Sequence, residues 1–187
     1  MFTPDTLITM EDGRRVPIGE IQPKDKVLTY YGRPASVVHV RHHGCNSCEV
    51  YSIRLVGQPQ AEICPHELLI HTTAHQIFRT QRGLVDMDDL VPGDRLITAN
   101  YTVYDWPEGT TVNQARSTYY PPNTLEVEEC YHIFSDGNVC SLVLHDDDNY
   151  IAAGVYVVSS VEPVRPVVRA KSFGSIRARP FEGEKVW

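Results

Sequence analysis

Residues 16–29 read VPIGEIQPKDKVLT, and residues 85–98 read VDMDDLVPGDRLIT. The two stretches align over fourteen positions without a gap, at a constant offset of 69 residues. In each, a turn with an apolar residue at either end leads through a Pro-x-Asp-basic sequence into a short apolar strand. Two copies are too few for a solenoid, which needs about three or more. The repeat therefore predicts a duplicated unit packed about a pseudo-twofold axis.

The rest of the body has the pattern of short strands. Apolar residues fall in runs of four to seven, such as 36–40 and 50–55, which we predict as separate strands. Asp-Gly pairs at residues 12–13 and 136–137 predict hairpin turns between such runs. Only residues 17–21 and 86–90 have the pattern of a helical turn. We therefore predict an all-β fold of many short strands over residues 1–160.

Length and composition exclude several classes of protein. The chain has 187 residues, 42% of them hydrophobic, and a formal charge of −7, so it can bury a sizeable core. No apolar run approaches the roughly 18 residues of a membrane span, and the first residues lack the regions of a signal peptide. The five cysteines are odd in number and favour thiols or metal ligands over a disulfide framework. We predict a cytoplasmic, non-secreted protein that does not contact membranes.

The last 27 residues, 161–187, differ from the body. They hold six basic and three acidic residues, a net charge of +3, which leaves −10 on residues 1–160. Three prolines and little periodicity predict an extended arm, either a solvated tail or a strand docked on a partner. A charge of +3 is weak for a nucleic-acid site, so we do not expect nucleic acid as a partner.

Three blocks of the sequence resemble the Hint domain family, the Hedgehog/intein autoprocessing fold. Residues 2–28 read F-x3-TLI-x2-EDG and then I-x-EI-x-P-x-D-x-VL. Residues 72–96 hold Thr72-x-x-His75 before an exposed strand and a Gly-Asp turn, and residues 139–157 contain VCSLV and NYIAAGVYV. Order and spacing are similar to the family in all three blocks. The resemblance implies a horseshoe-like disk with pseudo-twofold symmetry, which the repeat indicates independently.

The resemblance also implies an autoprocessing chemistry, and this chain lacks the residues for it at both the first position and the end of the third block. In the family, a Cys or Ser at the first position attacks the preceding carbonyl in an N–S or N–O acyl shift. Met1 stands at that position, and a thioether has no proton to lose. The family ends with His-Asn where this chain has Val158 and Ser159, and serine has no amide with which to cyclise. We therefore predict that the chain is not an enzyme.

Thr72 and His75 are what remains of the family's site. In an active relative, the His protonates the leaving nitrogen and the Thr holds it in place. Without a nucleophile, we expect both side chains to satisfy polar groups near the centre of the disk instead. They are predicted to be vestigial.

The cysteines form a second constellation. Cys45, Cys48, Cys64 and His66 read Cys-x2-Cys-x15-Cys-x-His, and zinc takes four N or S ligands in a tetrahedron. The resemblance requires no zinc and no other cofactor. A structural zinc site and free thiols therefore remain as alternatives for these residues. Cys130 and Cys140 lie in apolar runs, and we predict them as core residues.

Residues 99–124 lie where many inteins carry a homing endonuclease. Their 26 residues are too few for such a domain, but five of them are Tyr or Trp. This aromatic content predicts an ordered loop that packs on the body or on a partner.

Two functions fit these observations. One is a non-catalytic Hint-like module for assembly, of the kind found in phage virion or tail proteins. It would bind a protein partner or a second copy through residues 99–124 and the arm 161–187. The alternative is a self-processing, intein-like domain whose nucleophile was replaced by Met1, or a processed fragment of one. The losses at Met1, Val158 and Ser159 favour the module.

Overall fold

The computed structural model describes residues 1–30, 32–56, 67–98, 101–105, 116–120 and 123–159. Within these ranges, residues 45–48, 67–68, 101–105, 116–120 and 134–136 are described by their backbone alone. The fold is all-β, as predicted, and two short 3-10 turns, Ile18–Glu20 and Met87–Asp89, lie where the sequence predicts helical turns. None of the described helices is long and apolar enough to span a membrane.

The strands are β1 (Leu7–Thr9), β2 (Arg15–Pro17), β3 (Lys26–Leu28), β4 (Pro34–Val56), β5 (Glu67–Thr72), β6 (Ile77–Thr80), β7 (Gly83–Asp86), β8 (Arg95–Ile97), β9 (Tyr101–Asp105), β10 (Arg116–Tyr120), β11 (Thr124–Leu144), β12 (Asn149–Ala152) and β13 (Val155–Val158). Eleven of them form one sheet in the order β2-β1-β12-β13-β6-β8-β11-β4-β3, with β5 paired to β4 and β7 to β6. β9 and β10 form a separate two-stranded sheet. The sheet encloses one core, whose largest fully buried side chains include Phe2, Ile8, Phe78, Leu142 and Tyr150.

The two copies of the predicted repeat contain an equivalent hydrogen bond. In the first copy, the Asp25 carboxylate accepts the N–H of Gln22 at 2.8 Å. In the second copy, the Asp94 carboxylate accepts the N–H of Val91 at 3.0 Å. Both residues of one pair are offset by 69 from those of the other, so the duplicated unit folds the same way twice.

The two long strands β4 and β11 lie on the pseudo-twofold axis. They begin at residues 34 and 124, an offset of 90 rather than 69. The offset grows because the connection into β11 is longer than the connection into β4 and carries the β9–β10 hairpin. Since β4 and β11 also pair with each other, the axis passes through their ladder, between the pairs Cys48–Ser135 and Cys45–Gly137.

Two of the strand predictions are wrong. The runs at 36–40 and 50–55 belong to one strand, β4, and the Asp-Gly pair at 136–137 lies inside β11 rather than in a hairpin turn. The register shifts between Ser135 and Gly137, so this pair forms a bulge. The long antiparallel ladder explains the difference, because each strand supplies hydrogen-bond partners that keep turn-forming residues of the other extended. The Asp-Gly turn at 12–13 does connect β1 to β2.

One position of the repeat predicts a change in stability. Lys24 has φ +83° and its repeat partner Gly93 has φ +92°. A side chain in this region costs about 1 kcal/mol, and an added Cβ at Gly93 would meet nothing within 4 Å, so packing does not interfere. We expect Lys24→Gly to raise the free energy of unfolding by about 0.5–1 kcal/mol, and Gly93→Lys to lower it by about 1 kcal/mol. Urea denaturation of the two variants measures both, and shifts of the same sign would contradict this reading.

Candidate functional site

The second residue of the sequence is part of the core, and it anchors the first. The backbone of Phe2 exchanges two hydrogen bonds with that of Cys140, at 2.9 and 2.7 Å. The Phe2 ring is fully buried and packs edge-to-face against Phe78 and Tyr150, with ring centroids 6.4 Å apart in both pairs. Residue 1 is therefore held in place by the sheet itself.

Four polar contacts surround Met1. Its nitrogen lies 3.1 Å from Oγ1 of Thr73 and 3.0 Å from Oε1 of Gln76. Its carbonyl oxygen accepts the N–H of Thr73 at 2.9 Å and the hydroxyl of Thr72 at 2.8 Å. Burial lowers the pKa of the Met1 amino group to about 5. In a chain that begins at Met1, this nitrogen is therefore an uncharged amine at neutral pH, and it lies between Oγ1 of Thr73 and Oε1 of Gln76.

Gln76 connects the start of the sequence to its last described strand. Its side chain is buried, and Nε2 donates to the carbonyls of Val158 at 2.7 Å and Ile77 at 3.2 Å. Because both Nε2 protons are used, Oε1 is the atom that faces the nitrogen of Met1. Gln76 can therefore accept an N–H from residue 1 but has no proton to give it.

The structure brings Thr72, Val158 and Met1 together but not His75. His75 is exposed in the turn before β6, and the side chain that faces Met1 is Gln76, one position later. The expectation that His75 satisfies polar groups near the centre of the disk is therefore corrected. Thr72 does have such a role, because its hydroxyl bonds the carbonyl of residue 1.

Thr73 and Gln76 are missing from the residues that the sequence singled out. Gln76 lies three residues after Thr73, as His75 lies three residues after Thr72, because the two threonines are adjacent. The alternation of side chains along the following strand distinguishes Gln76 from His75. Phe78 is a strong core residue, and side chains two apart in a strand share a face, so Gln76 faces inward and His75 does not.

The other end of the site is also occupied by structural hydrogen bonds. Ser159, at the position of the lost Asn, is buried, and its Oγ donates to the carbonyl of Leu142 at 2.9 Å. Ser141 is buried as well, and its hydroxyl has no hydrogen-bond partner among the described residues. The hydroxyl of Ser159 is therefore used to bond the backbone of β11.

The proposed metal ligands fall largely outside the described residues. This applies to Cys64 and His66 entirely and to the side chains of Cys45 and Cys48. Within the described part of the chain, no group of three or more His, Cys, Asp or Glu side chains could hold a metal ion. The zinc site stays a prediction.

The two remaining cysteines differ in environment. Cys140 is fully buried, as predicted, whereas Cys130 is only half-buried. Burial raises the pKa of both thiols, that of Cys130 to about 11, so both are protonated at neutral pH. For residues 99–124, the structure describes only the backbone of β9 and β10, and the predicted packing of their aromatic side chains lies outside the described residues.

Comparison with solved structures identifies the fold. A bacterial intein-like domain from Clostridium thermocellum superposes with a TM-score of 0.60 at 20% identity, over 84% of this chain and 96% of that chain. The chain has an intein-like Hint fold. The gp41-1 intein gives a TM-score of 0.57 at 14% identity, over 84% and 96% of the two chains. The Ssp DnaB mini-intein variant M86 gives 0.54 at 18% identity, over 86% and 94%.

The likeness is one of structure. No family model matches the sequence, and no curated protein matches it significantly. The repeat, the paired long strands and the burial of Phe2 occur together in this fold. Whether chemistry accompanies the fold depends on the groups at residue 1, because a fold alone does not define a function.

Proposed function

We propose that the chain is a non-catalytic module with a Hint fold that acts in assembly. The observation that carries this proposal is the orientation of Gln76. An acyl shift at residue 1 must add a proton to the leaving nitrogen, and the group nearest that nitrogen is an acceptor oxygen. Met1 in turn has no S–H or O–H with which to attack a carbonyl.

The hydrogen-bond donors of the site support the same proposal. Catalysis of an acyl shift needs donors aimed at the carbonyl that precedes residue 1, where negative charge develops. Here the hydroxyl of Thr72 and the N–H of Thr73 both donate to the carbonyl of Met1 itself. These donors stabilise the ground-state backbone of the module.

The C-terminal side of the site has no cleaving group either. Ser159 has no amide with which to form a succinimide, and its hydroxyl is engaged with the carbonyl of Leu142. This argument holds for a chain of any length upstream of residue 1. The geometry therefore favours a role in which the fold, rather than bond cleavage, is what is used.

The module would bind a protein partner, or a second copy of the chain, through residues 99–124 and the arm 161–187. The β9–β10 hairpin supports the first surface, since it forms its own sheet apart from the eleven-stranded one. A virion or tail is one assembly that such a module would serve. The proposal requires no cofactor, nucleic acid or membrane, and it places the protein in the cytoplasm, where the free thiols of Cys130 and Cys140 stay reduced.

A reporter fused upstream of residue 1 tests this function. The fusion of the unchanged chain, residues 1–187, is incubated at pH 7–8 with and without thiol, and release is followed on gels and by mass spectrometry. We expect the fusion to stay intact, at the level of a matched sample unfolded in urea. Release from the folded fusion that exceeds the unfolded sample would support the self-processing alternative and overturn the proposal.

A further inference from the structure

The outer edge of β7 presents unpaired backbone groups to its surroundings. Among the described residues, β7 pairs with β6 only. The N–H of Met87 donates to the carbonyl of Gln76 at 3.0 Å, and hydrogen-bonded pairs alternate along an antiparallel ladder. The N–H and C=O groups of Leu84 and Asp86 therefore point away from β6. They form a ready template for one more strand.

The first copy of the repeat has the same edge, but protected. Arg15 and Pro17 in β2 are offset by 69 from Leu84 and Asp86. Proline is typical of edge strands because it offers no N–H to an added strand. The second copy has an exposed leucine in place of the arginine and no proline. The second copy therefore keeps an N–H at Asp86 that an added strand can use, where the first copy has none at Pro17.

Two apolar side chains are exposed at β7 and in the loop that follows it. Leu84 is 56% exposed and Val91 is 53% exposed. Arg82 fixes the loop that carries Val91 next to the start of β7, because its guanidinium bonds the Asp94 carboxylate at 2.7 Å and the Asp89 carbonyl at 2.6 Å. The same carboxylate accepts the N–H of Val91.

The same surface carries negative charge. Asp86, Asp88 and Asp89 are all exposed along β7 and the 3-10 turn that follows it. A segment that pairs with this edge should therefore combine apolar and basic residues.

The chain itself supplies such a segment close by. β13 ends at Val158, which pairs with Ile77, and Ile77 in turn pairs with Asp86 at the end of β7. A strand added beyond β7 would lie three strand spacings from β13, about 14 Å. About five extended residues cover this distance, and the arm 161–187 has 27. An arm that passes from β13 to the outer edge of β7 arrives at the end where Asp86 lies, and it then runs antiparallel to β7.

We propose that residues 167–171 of the arm add to the β7 edge of their own chain as an antiparallel strand. These residues read VVRAK and combine two valines with two basic residues. Pro163 and Pro166 precede them, and no proline follows until Pro180, so this is where a continuous ladder can begin. The short tether favours the chain's own edge over that of a second copy. The docked strand anchors the base of the arm and leaves residues 172–187 for a partner.

Amide hydrogen exchange of the full chain tests this proposal. We expect the amides of Leu84 and Asp86 to exchange at least about tenfold more slowly in the unchanged chain than in the double variant V168P/R169P. The double variant V168P/R169P removes one inward-facing N–H in either register and should abolish this protection. The matched control R177P/A178P, further along the arm, should leave it unchanged. The protection should not depend on protein concentration.

Three results would overturn the proposal. Unprotected amides at Leu84 and Asp86 in the unchanged chain would mean that no strand covers the edge. Protection that survives V168P/R169P would point to another occupant. Protection that rises with protein concentration, together with a dimer mass in sedimentation, would assign the strand to a second copy.

Discussion

Replacing Gln76 by leucine is expected to lower the free energy of unfolding by about 3–4 kcal/mol. The change removes the partner that the carbonyls of Val158 and Ile77 have in Gln76, and one of the two partners of the Met1 nitrogen, which keeps Thr73. Each unsatisfied buried group costs about 1–3 kcal/mol, part of which local relaxation recovers. Urea denaturation of Gln76→Leu beside the unchanged chain measures the loss.

Gln81→Leu is the matched control for this prediction. Gln81 is exposed, and its described hydrogen bond comes from its backbone N–H to the carbonyl of Arg95. We expect its substitution to change the free energy of unfolding by less than about 0.5 kcal/mol. Equal effects of the two substitutions would show that Gln76 does not hold the two ends of the site together.

The stability of a chain that begins at Met1 is expected to rise between pH 5 and pH 8. The pKa of the Met1 amino group is lowered from 8.0 to about 5 in the folded state by burial. Between these values the unfolded chain binds a proton that the folded chain does not, so raising the pH favours folding. The shift corresponds to roughly 4 kcal/mol at most, and the contribution is constant above pH 8 and absent below pH 5.

Urea denaturation across this pH range measures the effect, and an N-acetylated form of the same chain is the control. Acetylation removes the titrating amine while the rest of the sequence stays the same. We therefore expect a flatter profile for the acetylated form. Profiles of equal slope would show that the amine is not desolvated in the folded protein.

The repeat made much of the fold predictable. Residues 16–29 and 85–98 define the duplicated unit, and both 3-10 turns follow from it. What the sequence did not reveal is the length of β4 and β11. Their pairing joins residues far apart in the chain, and local turn signals such as Asp136-Gly137 are overridden by the ladder. Non-local pairing of this kind leaves no mark in a short window of sequence.

The sequence predicted where the site lies, but not which of two neighbouring side chains, His75 or Gln76, faces residue 1. The resemblance correctly brought Met1, Thr72 and Val158 into one region. It favoured His75 because histidine is the residue that the chemistry needs, although Gln76 has the same spacing from the next threonine. Only the burial of Phe78 fixes which of the two faces inward.

A reporter fusion that carries Met1→Cys tests the central claim most directly. This variant supplies the missing thiol and leaves Gln76 in place, so it separates the lack of a nucleophile from the lack of a proton donor. We expect the Met1→Cys fusion to stay intact in thiol and the double variant M1C/Q76H to release the reporter. Release from Met1→Cys at the rate of the double variant would contradict the account, because Gln76 would then not block the chemistry.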